Sequence, residues 1–269
     1  MPRETFQLTG GAAAIYEQQK VKAIFRPLAE ATLPLVNISK ADSVLDVACG
    51  TGIVARTVQD RIAPLLPVTG TDLNADMIAT ARELTKDRSD AFQWHVADVT
   101  GMPFPDGIFT LAVCQQGLQF FPDEGAALQE IRRVLRFAGQ FVLSVWAGPS
   151  RFFEALAAAL ARHVSEETAE RSLAPFTYAR LNSIPRMLQS AGFDDVTTRD
   201  LTIDRVIEQA EEAIPREIMA SPVGPTVAAL GPDVMARIVA DVLESCADLR
   251  QGGDLISAQT ARIFSATAL

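Results

Sequence analysis

Three observations predict an α/β fold with a Rossmann-like, doubly wound, seven-stranded mixed sheet. Short apolar runs alternate with segments of helical period between residues 44 and 146, which implies βαβ units and largely parallel pairing. The stretch from Ser43 to Gly52, S-V-L-D-V-A-C-G-T-G, ends an apolar run in an acid and then breaks into small residues. A buried strand passes in this way into a loop that comes close to a ligand. Two later runs, 195–207 and 257–268, alternate like strands and complete the sheet.

In chain order, residues 1–42 form a helical lid. Tyr16, Val21, Ile24, Phe25, Leu28, Ala29, Leu33 and Val36 are spaced with helical sense, and Pro27 and Pro34 divide them into two or three short helices. Residues 43–147 form the core, with strands at 44–48, 68–73, 92–97, 109–114 and 140–146 and helices at 53–61, 75–86 and 123–136. After Gly148-Pro149 the pattern changes to an Ala- and Leu-rich helix, 151–163, and a loop, giving a cap insertion at 148–182. Residues 183–207 return a helix and a strand to the core, the helix ending at Gly192. A second helical insertion occupies 208–254, with breakers at Pro215, Pro222, Pro225 and Pro232, and 255–269 supplies the last strand.

Composition narrows the function. The 269 residues include 24 Lys and Arg against 33 Asp and Glu, a formal charge of −9, with no basic run to follow a nucleic-acid backbone. Three widely spaced cysteines, 49, 114 and 246, form no CxxC pair, so neither a disulfide framework nor a metal site is expected. The start of the chain lacks an apolar signal core and no 18-residue apolar run occurs. A cytoplasmic protein without membrane insertion is expected, and a homodimer is compatible with these features.

Asp46 and Asp72 end the first two strands and Asp98 follows the third, so all three face the crevice at the strands' carboxyl ends. Asp72 lies twenty residues beyond Gly52, where a carboxylate accepts from ribose hydroxyls. A dinucleotide and a ribose-bearing cofactor without phosphates both satisfy that spacing. The dinucleotide fingerprint G-x-G-x-x-G falls on Ala48, Gly50 and Ile53, one match of three, which disfavours a nicotinamide-dependent oxidoreductase. No G-K-[ST] tripeptide occurs, so a P-loop is excluded. The loop A-C-G-T-G instead suits a ligand that offers an amino-acid carboxylate to the following helix.

These residues resemble the class I S-adenosylmethionine-dependent methyltransferases, in particular the small-molecule branch similar to the ubiquinone/menaquinone methyltransferases. The resemblance covers roughly residues 14 to 200 in four ordered motifs: V-L-D-V-A-C-G-T-G, T-D-L-N-A-D-M-I, V-A-D-V-T-G-M-P-F-P-D-G-I-F and L-Q-E-I-R-R-V-L-R-F-A-G. It implies S-adenosylmethionine as cofactor and S-adenosylhomocysteine as product. It implies further that Ala48, Gly50 and Gly52 approach the methionine moiety, Asp72 the ribose, Leu73 and Met77 the adenine faces, and Ala97, Asp98 and Val99 the adenine edge. Gln115 falls beside the transferable methyl. Two departures stand out: Ala48 replaces the first glycine of the loop, and R-F-A-G at 136–139 replaces the usual R-P-G-G.

On the acceptor side, Gln116, Gln119 and Phe120 follow the fourth strand and form a floor between cofactor and acceptor, the amides orienting a hydroxyl or carbonyl. Trp146 ends the fifth strand and is the expected substrate wall, and Tyr16 the lid residue that closes over the cofactor. Phe6, Phe25, Phe152, Phe153, Phe176 and Tyr178 add aromatic surface in the lid and cap. Of two histidines, His95 lies within a strand and reads as packed, whereas His163 ends the cap helix and is the candidate base. The function expected is in-line methyl transfer to an O, N, C or S atom of a small, apolar or aromatic molecule. The alternative is a cofactor-binding protein of the same fold without transfer chemistry.

Overall fold

The structure, a computed structural model, describes residues 12–269; Phe6 of the lid lies outside them. The chain divides into two compact units. The first takes in the segments through Val145, Ala179–Leu201 and Arg262–Leu269, and the second Trp146–Tyr178 and Thr202–Ala261.

In the first unit, strands β1 (Val44–Val47), β2 (Val68–Asp72), β3 (Phe92–Val96), β4 (Phe109–Gln115) and β5 (Leu135–Trp146) lie in the order β3-β2-β1-β4-β5. All four ladders among them are parallel. The long strands β6 (Phe193–Ile207) and β8 (Asp254–Ala268) extend the path as β8-β6 and contribute residues to both units. The unit boundaries therefore fall inside these strands and not in loops near 207 and 254. All four residues of β1 are buried, as its V-L-D-V run demands of a central parallel strand. From β1 the chain runs outward to β3 and then returns to β4 on the other side of β1. That reversal opens a crevice at the carboxyl ends of β1 and β4.

Helices α3 (Ile53–Ile62) and α4 (Ala75–Leu84) pack on β1, β2 and β3. Asn74 caps α4, its side chain accepting from the Asp76 and Met77 N–H groups. Between β4 and β5 runs α5 (Glu124–Val134), capped by Asp123, and it passes directly into β5 at Leu135, five residues before the expected strand start. There Ala138 adopts φ +57, a left-handed conformation in which the usual glycine is missing, and Phe137 is left exposed. The lid comprises α1 (Ala12–Tyr16), a π-helix over Glu17–Phe25, α2 (Arg26–Thr32) and a short 3₁₀ turn, Leu33–Leu35. Its prolines do not break it, because Pro27 and Pro34 each sit at the first positions of a new helical segment, where no N–H is needed.

The second unit is built around α6 (Arg151–His163), α7 (Glu166–Leu173), α9 (Ala210–Met219), α10 (Gly224–Ala228) and α11 (Pro232–Ser245); α8 (Ile184–Ser190) belongs to the first unit. Phe152, Leu160, Ile214, Ile218, Ile238 and Val242 are among its fully buried apolar residues. Pro215, expected to break the chain, lies inside α9. The carbonyl it leaves without a helical donor is that of Glu211, an exposed first-turn residue. A two-residue strand, β7 (Arg250–Gln251), pairs antiparallel with β8 through a turn at Gly252, an eighth strand within a segment expected to be helical. No helix among the described residues is long and apolar enough to cross a membrane.

Gly70 and Gly52 show how tightly the first unit is packed. A Cβ at Gly70 would lie 2.3 Å from the Trp94 ring and one at Gly52 2.2 Å from it, and the indole Nε1 is anchored to Thr85 Oγ1 at 3.0 Å. Gly70→Ala should therefore cost about 1–3 kcal/mol by overpacking and lower the melting temperature by several degrees. In the double variant with Trp94→Leu the two losses should sum to less than their separate values. Strict additivity in thermal melts would contradict this packing argument.

Candidate functional site

The crevice in the first unit starts at the loop after β1. Ala48, Gly50 and Gly52 take positive φ values of 54°, 55° and 80°, so the loop winds through left-handed turns that its small residues tolerate. Backbone bonds frame it: Cys49 N–H donates to the Thr71 carbonyl at 2.9 Å and Gly52 N–H to the Cys49 carbonyl at 2.8 Å. The two glycines differ in surroundings. Gly52 is closed on one side by Trp94, whereas a Cβ at Gly50 would meet only the Tyr16 ring, at 3.8 Å, so the open approach lies at Gly50.

Asp72 joins this loop to the next. Its Oδ2 accepts from Gly50 N–H and its Oδ1 from Asn74 N–H, both at 2.8 Å. Burial pushes its carboxyl up, and the two N–H bonds oppose that shift. One bond on each oxygen leaves further acceptor capacity on both, the requirement for receiving two vicinal hydroxyls. Asp46, on β1, is buried and accepts from the Ala55 N–H of α3 at 2.9 Å. Burial pushes its carboxyl up to about 7 against that bond, with the Asp72 charge raising it further and Arg56 opposing.

A cavity of about 30 Å³ is lined by Tyr16, Phe25, Asp46, Gly50, Val54 and Gln115, among others. Tyr16 stacks on Phe25 with centroids 5.4 Å apart, and its phenol is pushed far up by burial and by the charges of Asp72, Glu17 and Asp46. The Gln115 side chain donates to the Phe25 carbonyl at 3.1 Å. Glu17, which the sequence did not single out, accepts from Thr51 at 2.6 Å and pairs with Arg56 at 2.8 Å through both oxygens.

The other expected residues have the following surroundings. Leu73 is exposed and Met77 buried at the start of α4. Ala97 N–H donates to the Asp72 carbonyl at 3.0 Å, and Val99 follows half-buried. Asp98 Oδ1 accepts from both the N–H and the hydroxyl of Thr100 at 2.8 Å, so this side chain builds its own turn. Gln116 is buried at φ +58, with Gln119 and the half-buried Phe120 in the turn beyond. Cys49 and Cys114 are buried thiols, the first pushed well up and the second to about 12, chiefly by burial, which rules out a ready nucleophile. His95 is half-buried, edge-on to Phe104, and burial followed by the Arg82 charge lowers its imidazole.

Trp146 and His163 belong to the second unit. Trp146 is buried and its ring lies 6.2 Å from Phe176, which in turn packs 4.1 Å from Phe153. His163 ends α6 with Nε2 2.8 Å from Asp241 of α11, an interhelical tie shared with Arg162. Arg205, buried to 3% exposure, pairs with Glu217 at 2.8 Å and lies 4.8 Å over the Phe153 ring.

A mainly parallel α/β sheet with a glycine turn and a strand-end acid at the crevice is an arrangement that suits a ribose-bearing ligand. Comparison with known proteins agrees. Residues 45–143 match the methyltransferase domain family. The chain is 27% identical over 182 residues to the ubiquinone/menaquinone biosynthesis C-methyltransferase of Cupriavidus metallidurans, covering 64% of this chain and 75% of that protein. It is 34% identical over 127 residues to the enzyme of the same name from Chromobacterium violaceum, covering 46% and 52%. A similar fold, with TM-score 0.61, 18% identity and coverage of 95% of this chain and 56% of the other, occurs in a phosphoethanolamine N-methyltransferase of Haemonchus contortus bound to S-adenosylhomocysteine. The chain carries a methyltransferase domain and is an S-adenosylmethionine-dependent methyltransferase, with S-adenosylmethionine as its cofactor.

The pocket residues fit that group. Gly50 leaves open space, Asp72 keeps acceptor capacity, and Gly52 caps α3 without any side-chain acceptor. Asp46 carries a measurable signature. The folded protein holds this proton more tightly than the unfolded chain, so its contribution to stability is full below the ordinary carboxylate range and is lost as pH rises through about 7. Thermal stability should fall between about pH 4 and pH 7, and Asp46→Asn, which keeps an acceptor for Ala55, should flatten that slope. An identical pH profile in the variant would assign the dependence to other groups.

Proposed function

We propose that the enzyme transfers the cofactor's methyl group to a small, apolar or aromatic acceptor whose hydroxyl or carbonyl is oriented by Gln116 and Gln119. One observation carries this reading. Gln116 Nε2, Gln119 Oε1 and Ser144 Oγ are buried and have no hydrogen-bond partner among the described residues, where such groups are ordinarily satisfied. Gln119 Nε2 donates to Gln116 Oε1 at 3.2 Å, so the pair is arranged head to tail, with one donor and one acceptor left over. A hydroxyl or carbonyl group on a ring complements that pair. The left-handed backbone of Gln116 adds support, because strain of this kind concentrates at ligand sites. Gly117 brings the turn against the glycine loop: a Cβ there would lie 2.8 Å from that of Ala48.

The cofactor supplies, when bound, a methyl group on a sulfonium, already a good leaving group. The protein's task is alignment and exclusion of water. Backbone at Ala48, Gly50 and Gly52 holds the amino-acid arm, Asp72 the ribose, and Leu73, Ala97, Asp98 and Val99 the adenine, with Met77 packed beneath. Gln115 borders the methyl, Phe120 gives the acceptor apolar surface, and the amides fix its polar end. Amides are not bases near neutral pH, so an acceptor with an acidic hydroxyl suits this arrangement. His163, committed to Asp241, is given no step. The relatives' names, which specify C-methylation in ubiquinone and menaquinone biosynthesis, support a ring acceptor. Buried, unpaired thiols at all three cysteines support a reducing cytoplasm as its compartment.

Labelled methyl transfer from S-adenosylmethionine to a panel of hydroxylated aromatic compounds tests this reading. With the acceptor found, Gln116→Leu should lower kcat/KM by about ten- to a hundredfold, the effect of one or two buried hydrogen bonds, while leaving S-adenosylhomocysteine affinity close to wild type. Asp72→Ala should do the reverse and weaken S-adenosylhomocysteine binding by at least about tenfold. Full kcat/KM in Gln116→Leu sinks the orienting role.

A further inference from the structure

Glu17 opens the π-helix directly after α1, where the lid meets the glycine loop, and its carboxylate bonds to that loop and to the helix behind it. Both carboxylate oxygens lie 2.8 Å from Arg56 Nη2, and Oε2 also accepts from the Thr51 hydroxyl at 2.6 Å. The pair is shielded, with side-chain exposures of 9% for Arg56 and 15% for Glu17. Arg56 in turn donates from Nε to the Gly52 carbonyl at 3.3 Å. One acidic side chain thus grips residues on both sides of Gly52.

The neighbour of Glu17 is Tyr16, whose ring covers the open side of Gly50. Behind it the chain is wound as a π-helix, with the Arg26 N–H bonded to the Val21 carbonyl five residues back. Such windings are rare and concentrate at functional sites. With the lid in this position Tyr16 and Phe25 line the narrow cavity at the glycine loop, and Tyr16 lies directly over Gly50. Moving the lid aside uncovers that loop for cofactor to enter and for product to leave.

We infer that the Glu17 carboxylate is the latch of this lid: its bonds to Arg56 and Thr51 hold Tyr16 over Gly50 and break at each cofactor exchange. The inference goes beyond the assignment of cofactor and acceptor because it concerns the rate of exchange. A latch and a ligand contact leave different kinetic traces. Releasing a latch speeds entry and exit together and moves the equilibrium constant little, whereas losing a ligand contact speeds exit alone.

Stopped-flow measurement of S-adenosylhomocysteine binding, with calorimetry on the wild type as reference, tests this. In Glu17→Gln, which keeps the side chain's shape, association and dissociation rates should both rise by about tenfold, the scale set by losing one partly buried ion pair. Thr51→Val, which removes only the hydroxyl bond, should raise both by a smaller factor. Unchanged rates in both variants, or a rise confined to dissociation, overturn the latch. Should Glu17→Gln fail to melt cooperatively, Thr51→Val decides by the same criteria. If wild-type protein shows no heat of binding with S-adenosylhomocysteine, the cofactor reading itself falls and the latch with it; binding with unchanged exchange rates removes the latch alone.

Discussion

One carboxylate, Asp72, sets the geometry on which the site depends. Its two oxygens take the Gly50 and Asn74 N–H groups, and its own backbone carbonyl takes that of Ala97. The loops after β1, β2 and β3 are thereby tied to a single residue. Charge-assisted bonds of this kind offset part of the burial that opposes ionisation, and do so only while both donors stay in place. The glycine loop therefore owes its form as much to an acid on the neighbouring strand as to its own glycines. A residue that the spacing marks as a ribose ligand also holds the architecture, and the two roles use different lone pairs of the same oxygens.

The strands were legible in the amino-acid sequence because parallel β-strands are buried on both faces and read as short apolar runs. Loops with a chemical reason for their residues were legible too, as at Ala48 to Gly52. What pattern alone did not disclose arises from partners distant in the chain. Trp94 fills the places where Gly52 and Gly70 lack a Cβ, and only the β2–β3 register, which sets Gly70 opposite Trp94, reveals it. The sequence explains Gly52 as room for a ligand; the fold explains both glycines as room for an indole. Pro215 inside α9 and the β7 hairpin were missed for a related reason, since an exposed carbonyl and a two-residue pairing leave no periodic trace.

The lid shows the same limit more sharply. Tyr16 and Phe25 announced themselves as aromatic residues at helical spacing. Glu17 did not, because an acid on a short helix reads as solvated surface. Its partners Thr51 and Arg56 lie 34 and 39 residues away, and the loop motif that contains Thr51 says nothing of an acid in the lid. Arg56 is among the few buried charged side chains, and a buried arginine requires a counterion. That requirement is the physical signal that points from α3 back to Glu17, and it becomes visible only once the burial is known.

Electrostatics supply an argument for the cofactor that does not rely on any motif. Three acids, Asp46, Asp72 and Glu17, surround the Tyr16 phenol and help to push its titration up, so the tyrosine stays neutral beneath them. Arg56 neutralises Glu17, but Asp46 and Asp72 have backbone N–H groups for partners, and burial pushes both carboxyls up. A pyrophosphate brought here would add negative charge to a pocket that already resists ionising its own acids. A ligand with a positive centre does the opposite, relieving the repulsion and favouring both carboxylates. An ammonium and a sulfonium on one small molecule meet that need, with a single carboxylate left for the N-terminus of α3. The loop's missing third glycine and the pocket's excess of acids thus exclude a dinucleotide for independent reasons, one steric and one electrostatic.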